Sequence, residues 1–329
     1  MELQIKFIRT FTKPSKLLSL LFIFSIQPLH AQDSDFLISN NKQINEVRFD
    51  KGFTDKQKER TFQWVSHASE ALKTVYGEFP VDYFITQIKA SRRSSEAVPW
   101  GEVNRESPSE VVLVINKNAS LEQLKDDWTI YHEFSHLLIP YDAGDERWLS
   151  EGLASYYQNV LQARIGMFTE EKMWQRLYDG FERGRKQTNH RQQRLSYLSE
   201  NMESNHNYMR VYWSGALFWL KADVALRQLN NGKSLDHALL KLRQCCFRYP
   251  LSATEIIQQL DALTYSKVFS QLFQKFSTSY QIPPYNALLQ SLGITQRFGD
   301  IRLNNGAEFS MIRKAIYQDN KLITKEKRN

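Results

Sequence analysis

Two histidines and two glutamates between positions 132 and 151 carry the clearest chemistry in this chain. His-Glu-Phe-Ser-His occupies 132–136, and Trp-Leu-Ser-Glu-Gly follows at 148–152. Residues four apart on a helix share a face, so His132 and His136 can offer imidazole nitrogens to a single metal ion. Glu133 sits one step round from that face, where a carboxylate serves as a base toward water rather than as a ligand. A catalytic zinc takes three protein ligands and keeps a fourth position open. Glu151 is the candidate third ligand, with Asp142, Asp145 and Glu146 as rivals in the intervening loop. The expectation is one Zn2+ per chain, held by His132, His136 and Glu151.

The elements that must position these groups can be read from the flanking sequence. Ser120-Leu-Glu-Gln123 is a capping box, which predicts a helix from Leu121 through the histidines. On that helix Ile130, Phe134, Leu137 and Leu138 share one face, and the histidines lie roughly opposite, beside Trp128 and Thr129. Pro140 ends it, and 141–145 reads as a turn. A second helix is predicted from Trp148, with Glu151 in its first turn, where the positive helix end favours a carboxylate. Its small residues Gly152, Ala154 and Ser155 would let it approach the first helix closely.

The paired motifs resemble the gluzincin metallopeptidases, and Trp-Leu-Ser-Glu-Gly-Leu-Ala-Ser-Tyr-Tyr157 resembles the aminopeptidase N and glycyl aminopeptidase branches most. Tyr212-Trp-Ser-Gly-Ala216 is similar to a downstream stretch of those branches, and the resemblance implies that Tyr212 helps stabilise the oxyanion. Residues 273–293 resemble the end of the glycyl aminopeptidase catalytic domain. The implied fold is α+β, a thermolysin-like (zincin) catalytic domain. The Gly-Ala-Met-Glu-Asn segment that grips a free substrate amine in aminopeptidase N relatives is absent. Glu102, after Trp100-Gly101, is the acidic residue placed to take that role, and endo- versus aminopeptidase action stays open. The resemblance also implies an edge strand along the cleft that pairs with substrate backbone. Glu110–Ile115 is the candidate for it.

Residues 1–31 read as a secretory leader. Lys6, Arg9, Lys13 and Lys16 precede an apolar run from Leu17 to Ile26, with cleavage expected near Ala31. That run is too short to cross about 30 Å of hydrocarbon as a helix, so no stable membrane anchor is expected, and the product is periplasmic or secreted. Losing the leader lowers the formal net charge from +7 to +4, which excludes a strongly basic nucleic-acid binder. Cys245 and Cys246 are the only cysteines, and they read as two half-buried thiols rather than a disulfide framework.

Further along, Thr54-Asp-Lys-Gln57 and Ser252-Ala-Thr-Glu255 are two more capping boxes. Strands are predicted at 81–89 and 111–116, and helices at about 148–164, 169–183, 207–229, 234–247, 252–263, 266–278 and 284–292. Residues 32–52 read as an extended lead-in. The catalytic domain should cover 32–295, with an upper α/β lobe at about 50–140 and a helical lobe at about 147–295. Residues 296–329 form a C-terminal extension of weak pattern, either an appended strand or a loosely held tail. Together these features predict a monomeric zinc peptidase acting on peptides or proteins, with Glu133 as base. A zinc-binding scaffold without turnover, or an amidase acting on a non-peptide cell-wall amide, are the alternatives.

Overall fold

A computed structural model describes residues 36–318 apart from 93, 143, 145 and 230–232. The candidate leader at 1–31, the rival ligand Asp145 and the terminal segment from 319 lie outside the described residues. The elements run β1 Phe36–Asn40, β2 Gln43–Phe49, α1 Asp55–Tyr76, β3 Tyr83–Ala90, β4 Trp100–Asn104 and β5 Ser109–Ile115. Next come α2 Leu121–Asp126, α3 Thr129–Ser135, a 3-10 turn His136–Leu138, α4 Arg147–Arg164, α5 Glu170–Lys186, α6 Leu195–Glu200 and α7 Met202–Asn205. The chain continues with α8 Tyr208–Gln228, α9 Leu235–Cys246, α10 Ala253–Thr264, α11 Val268–Ser277, α12 Asn286–Ser291, β6 Ile294–Arg297, β7 Asp300–Leu303 and α13 Ala307–Gln318. This is the α+β arrangement expected, a mixed sheet followed by helices.

The five-stranded sheet has the order β1-β2-β3-β5-β4. β2, β3 and β5 are parallel, while β1 and β4 pair antiparallel at the two edges. The lead-in at 32–52 therefore contributes two strands. Helix α1 covers the sheet with Trp64, Val65, Leu72 and Val75, all fully buried. Thr54 and Gln57 close its capping box, and Gly77 ends it in the left-handed conformation at φ 74°.

Three expectations change here. The cleft-side edge is β4, not β5: β5 lies inside the sheet, between β3 and β4. Strand β4 escapes a search for apolar runs because one side of an edge strand meets solvent, and its residues alternate between exposed and half-buried. The predicted helix from Leu121 through His136 is broken at Asp127, whose backbone is extended at ψ 139°. The Asp127 carboxylate accepts from the Thr129 amide at 2.8 Å and restarts the chain as α3. Cys245 and Cys246 are joined as a vicinal disulfide, not held as two thiols.

The C-terminal extension is a hairpin and a helix rather than a single strand or tail. Its attachment combines apolar burial of Ile301 and Ile316 with a set of polar contacts. Arg313, fully buried, bonds Glu170 on α5 at 2.6 Å and the Leu292 and Asn304 carbonyls at 3.0 and 2.9 Å. Arg164 on α4 donates to the Ile316 carbonyl at 3.0 Å.

Candidate metal centre

Helix α3 is buried on every side, so the histidines look into the protein rather than into bulk water. The ring centroids of His132 and His136 lie 5.0 Å apart. Helix α4 carries Glu151 to them: its Oε2 is 3.3 Å from His132 Nε2 and 3.7 Å from His136 Nε2. A tetrahedron with metal–ligand bonds of about 2.0–2.1 Å has edges of about 3.3–3.4 Å, so this spacing suits a zinc ion bound by all three. His132, His136 and Glu151 form the one group of this kind among the described residues. Of the rivals, Asp142 is exposed, and Glu146 receives the Trp148 indole N–H instead.

Each imidazole is fixed from behind. His132 Nδ1 lies 2.8 Å from Gln158 Oε1, and His136 Nδ1 lies 3.0 Å from Ser150 Oγ. With Nδ1 bearing the proton, each Nε2 keeps a lone pair facing the metal position. Arg105 Nη2 also donates to Ser150 Oγ at 3.0 Å and to the His136 carbonyl at 3.2 Å. None of these three supports was legible from motif spacing alone. Gln158 had a usable signal, because it lies seven residues after Glu151 on the same helix and so shares its face.

Protonation states follow from burial and from the neighbouring charges. Burial pulls His132 down, but its hydrogen bond to Glu151 and the Glu133 and Glu151 charges outweigh it and raise the ring's pKa. Burial drives His136 down to about 3, which keeps the ring neutral and able to ligate. Burial pushes the Glu151 carboxyl up, but the charges and hydrogen bonds of His136, His132 and Tyr212 outweigh it and hold the group near 2. The positive helix end has less part in this than expected, because Glu151 sits in the second turn of α4, not the first. Glu133 behaves oppositely. Burial raises it to about 7, with His132 and Arg105 opposing the rise and Glu151 and Glu102 adding to it.

The edge strand closes over Glu133. A Cβ added at Gly101 would meet the Glu133 Cγ at 2.7 Å and Thr129 Cγ2 at 2.6 Å, so only glycine lets β4 pass this close. Helix α8 supplies the other wall. The Tyr212 ring stacks on His132 at 5.7 Å; burial raises its pKa, and the neighbouring Glu151 carboxylate adds to the rise. Trp128, 46% exposed, stands edge-on to His132 at 5.3 Å at the mouth.

The close approach that places Glu151 and Tyr212 is a glycine crossing. A Cβ on Gly152 would lie 2.2 Å from Gly215 Cα, and one on Gly215 would lie 2.0 Å from the Trp148 carbonyl oxygen. Gly152 therefore admits α8, not the histidine helix that the sequence suggested. Trp219 Nε1 donates to the Leu149 carbonyl at 2.8 Å and locks the crossing.

Comparison with known proteins bears on the fold and the family. Residues 141–218, which include Glu151 and Tyr212, match the family model described as M61 glycyl aminopeptidase. No curated protein sequence matches the chain. Among solved structures, an aminopeptidase N family protein from Idiomarina loihiensis aligns with a TM-score of 0.61 at 16% identity, covering 79% of this chain and 49% of its own. An M1 zinc metallopeptidase from Deinococcus radiodurans aligns at 0.48 and 16% identity, covering 75% of this chain and 52% of its own. The chain thus spans about half the length of these structures. The fold is that of about half of the Idiomarina loihiensis aminopeptidase N family protein, and the resemblance to gluzincin metallopeptidases read from the motifs is supported.

Proposed function

We propose that this chain is an exported zinc peptidase whose general base is Glu133 and whose oxyanion donor is Tyr212. The observation that carries the reading is the convergence of His132, His136 and Glu151, with ligand atoms all within 4.8 Å of one another, and the Glu133 carboxyl beside them. When bound by those three residues, zinc lowers the pKa of a water molecule and polarises a peptide carbonyl. Glu133 takes the proton from the attacking water and passes it to the leaving amine. A carboxyl pushed up to about 7 suits that exchange, because it can accept and release a proton near neutrality. The Tyr212 hydroxyl, close to Glu151, is placed to turn toward the carbonyl oxygen as charge develops there. Strand β4 offers its free edge to the backbone of an extended peptide.

The deciding experiment is digestion of a peptide library by the zinc-loaded protein, read by mass spectrometry, beside the Glu133→Gln variant. This substitution is nearly isosteric and removes only the base. Zinc content should hold while turnover drops roughly 10²-fold or more. Cleavage by Glu133→Gln at the original rate would remove the base assignment, and an inert wild type would favour a zinc-binding scaffold. Export rests on the basic-then-apolar leader, and the mature protein should begin at Gln32 when its N-terminus is sequenced.

A further inference from the structure

Away from the metal centre, a groove of ≈ 1180 Å³ is lined by the end of α5, the start of α8, residues 280–286 and the β6–β7 turn. Its wall carries Arg185, Lys186, Arg191, Arg210 and Arg297 against a single carboxylate, Glu182. That carboxylate is already occupied. It receives Arg185 at 2.9 and 2.6 Å, and the Tyr285 hydroxyl as well. Lys186, Arg191, Arg210 and Arg297 form no ion pair among the described residues.

Arg210 is the most telling of the four. It is 3% exposed, yet its guanidinium meets only neutral oxygens. Nη1 donates to the Ser214 hydroxyl, and Nη2 makes long contacts to the Ser279 carbonyl and hydroxyl at 3.4 and 3.5 Å. Burial pulls its pKa down to about 10, and no carboxylate offsets it. A buried cation without a counter-charge is costly unless something else supplies the charge. A guanidinium at a cavity wall, with donors to spare, matches a planar carboxylate. The rim also carries rings: Tyr280 is 50% exposed and Phe298 is 93% exposed. The groove is larger than the roughly 300–1,000 Å³ of a small-molecule pocket, so it has room for a stretch of chain.

We propose that this groove is a docking site for an acidic peptide segment. Arg210 pairs one carboxylate at its base, and Lys186, Arg191 and Arg297 hold others along the rim. Arg210 and Tyr212 stand two residues apart on α8 and so face nearly opposite ways. The groove thus lies across that helix from the metal centre. This inference goes beyond the peptidase reading and does not need it, because docking is measured without turnover.

The test is fluorescence anisotropy of a labelled dodecapeptide carrying four glutamates, and of its glutamine counterpart, on the full chain stripped of metal with a chelator. The acidic peptide should bind at least about tenfold tighter than the glutamine one, with affinity falling as salt rises. Lys186→Gln, Arg191→Gln and Arg297→Gln combined should remove that preference, and these exposed positions leave the fold intact. Arg210→Gln should remove it too. If that variant melts early, the triple variant alone decides. Equal binding of the two peptides, an unchanged triple variant, or tighter binding of a single-stranded oligonucleotide of equal charge would each overturn the proposal.

Discussion

Gln158→Leu is the sharpest probe of how the proposed metal centre is built, because it leaves all three candidate ligands in place. Gln158 is almost fully buried, and its carbonyl oxygen lies 2.8 Å from His132 Nδ1. No other Nδ1 partner for His132 is present among the described residues, and the ring is 3% exposed, so water cannot readily replace the lost acceptor. An unsatisfied buried N–H costs about 1–3 kcal/mol. That cost falls on the tautomer that ligates, since the ring can escape it by moving its proton to Nε2. Loss of such a supporting partner lowers metal affinity by about 10–100-fold in comparable sites. The corresponding free energy is about 1.4–2.7 kcal/mol, which sits inside the range set by the orphaned N–H. Competition with a chromophoric chelator measures zinc affinity, and circular dichroism with thermal melting checks that the helical content and fold persist. An affinity within threefold of the wild type, with the fold intact, would refute the claim that Gln158 sets the His132 tautomer.

Glu151→Ala should abolish tight zinc binding by metal analysis, whereas Asp142→Ala, at an exposed loop position, should leave it untouched. Gly215→Ala places a methyl against the Trp148 carbonyl, so thermal melting should show a loss of about 1–3 kcal/mol. Zinc affinity should fall with it as α4 is pushed off α8, and a silent Gly215→Ala would contradict the crossing. Tyr212→Phe should lower kcat by roughly 10²–10³-fold with little change in KM or metal content, the pattern of a donor used only in the transition state. Glu102→Ala separates amino- from endopeptidase action. A clear fall on free-amine peptides, with acetylated peptides poor throughout, marks an aminopeptidase in which Glu102, at an exposed position of β4, takes the substrate amine. Indifference to acetylation marks an endopeptidase.

What could be read from the sequence was local. The capping boxes at Thr54, Ser120 and Ser252 all form, because each needs only residues three apart. The ligand pair needed only the four-residue helical repeat, and Glu151 only a second helix in reach. What stayed hidden depends on contacts between distant segments. Strand β4 has no apolar run, since it is defined by pairing with β5 and by passing over Glu133 at Gly101. Arg105 follows that strand with no motif of its own, and its role appears only once its guanidinium is seen on Ser150. Asp127, between two predicted helical turns, breaks the helix through a side-chain bond that periodicity does not register.

These hidden contacts share a common effect, which is to hold the centre in one arrangement before any ligand arrives. Glu151, Ser150 and Gln158 all lie on α4, so this single helix supplies one proposed zinc ligand and the partner of each histidine. Its position is therefore the geometric variable that matters most. It is set at one end by the Gly152–Gly215 crossing and the Trp219 hydrogen bond. At the other end, Tyr157 donates to Asp236 at 2.5 Å and Arg164 pairs with the same carboxylate at 2.7 Å, deep in the helical part. Rotating α4 by a few degrees would shift a ligand and both supports together. Disruption at Gly215 or Asp236, far from any metal-binding atom, should thus appear as a loss of metal affinity and not only as a loss of stability.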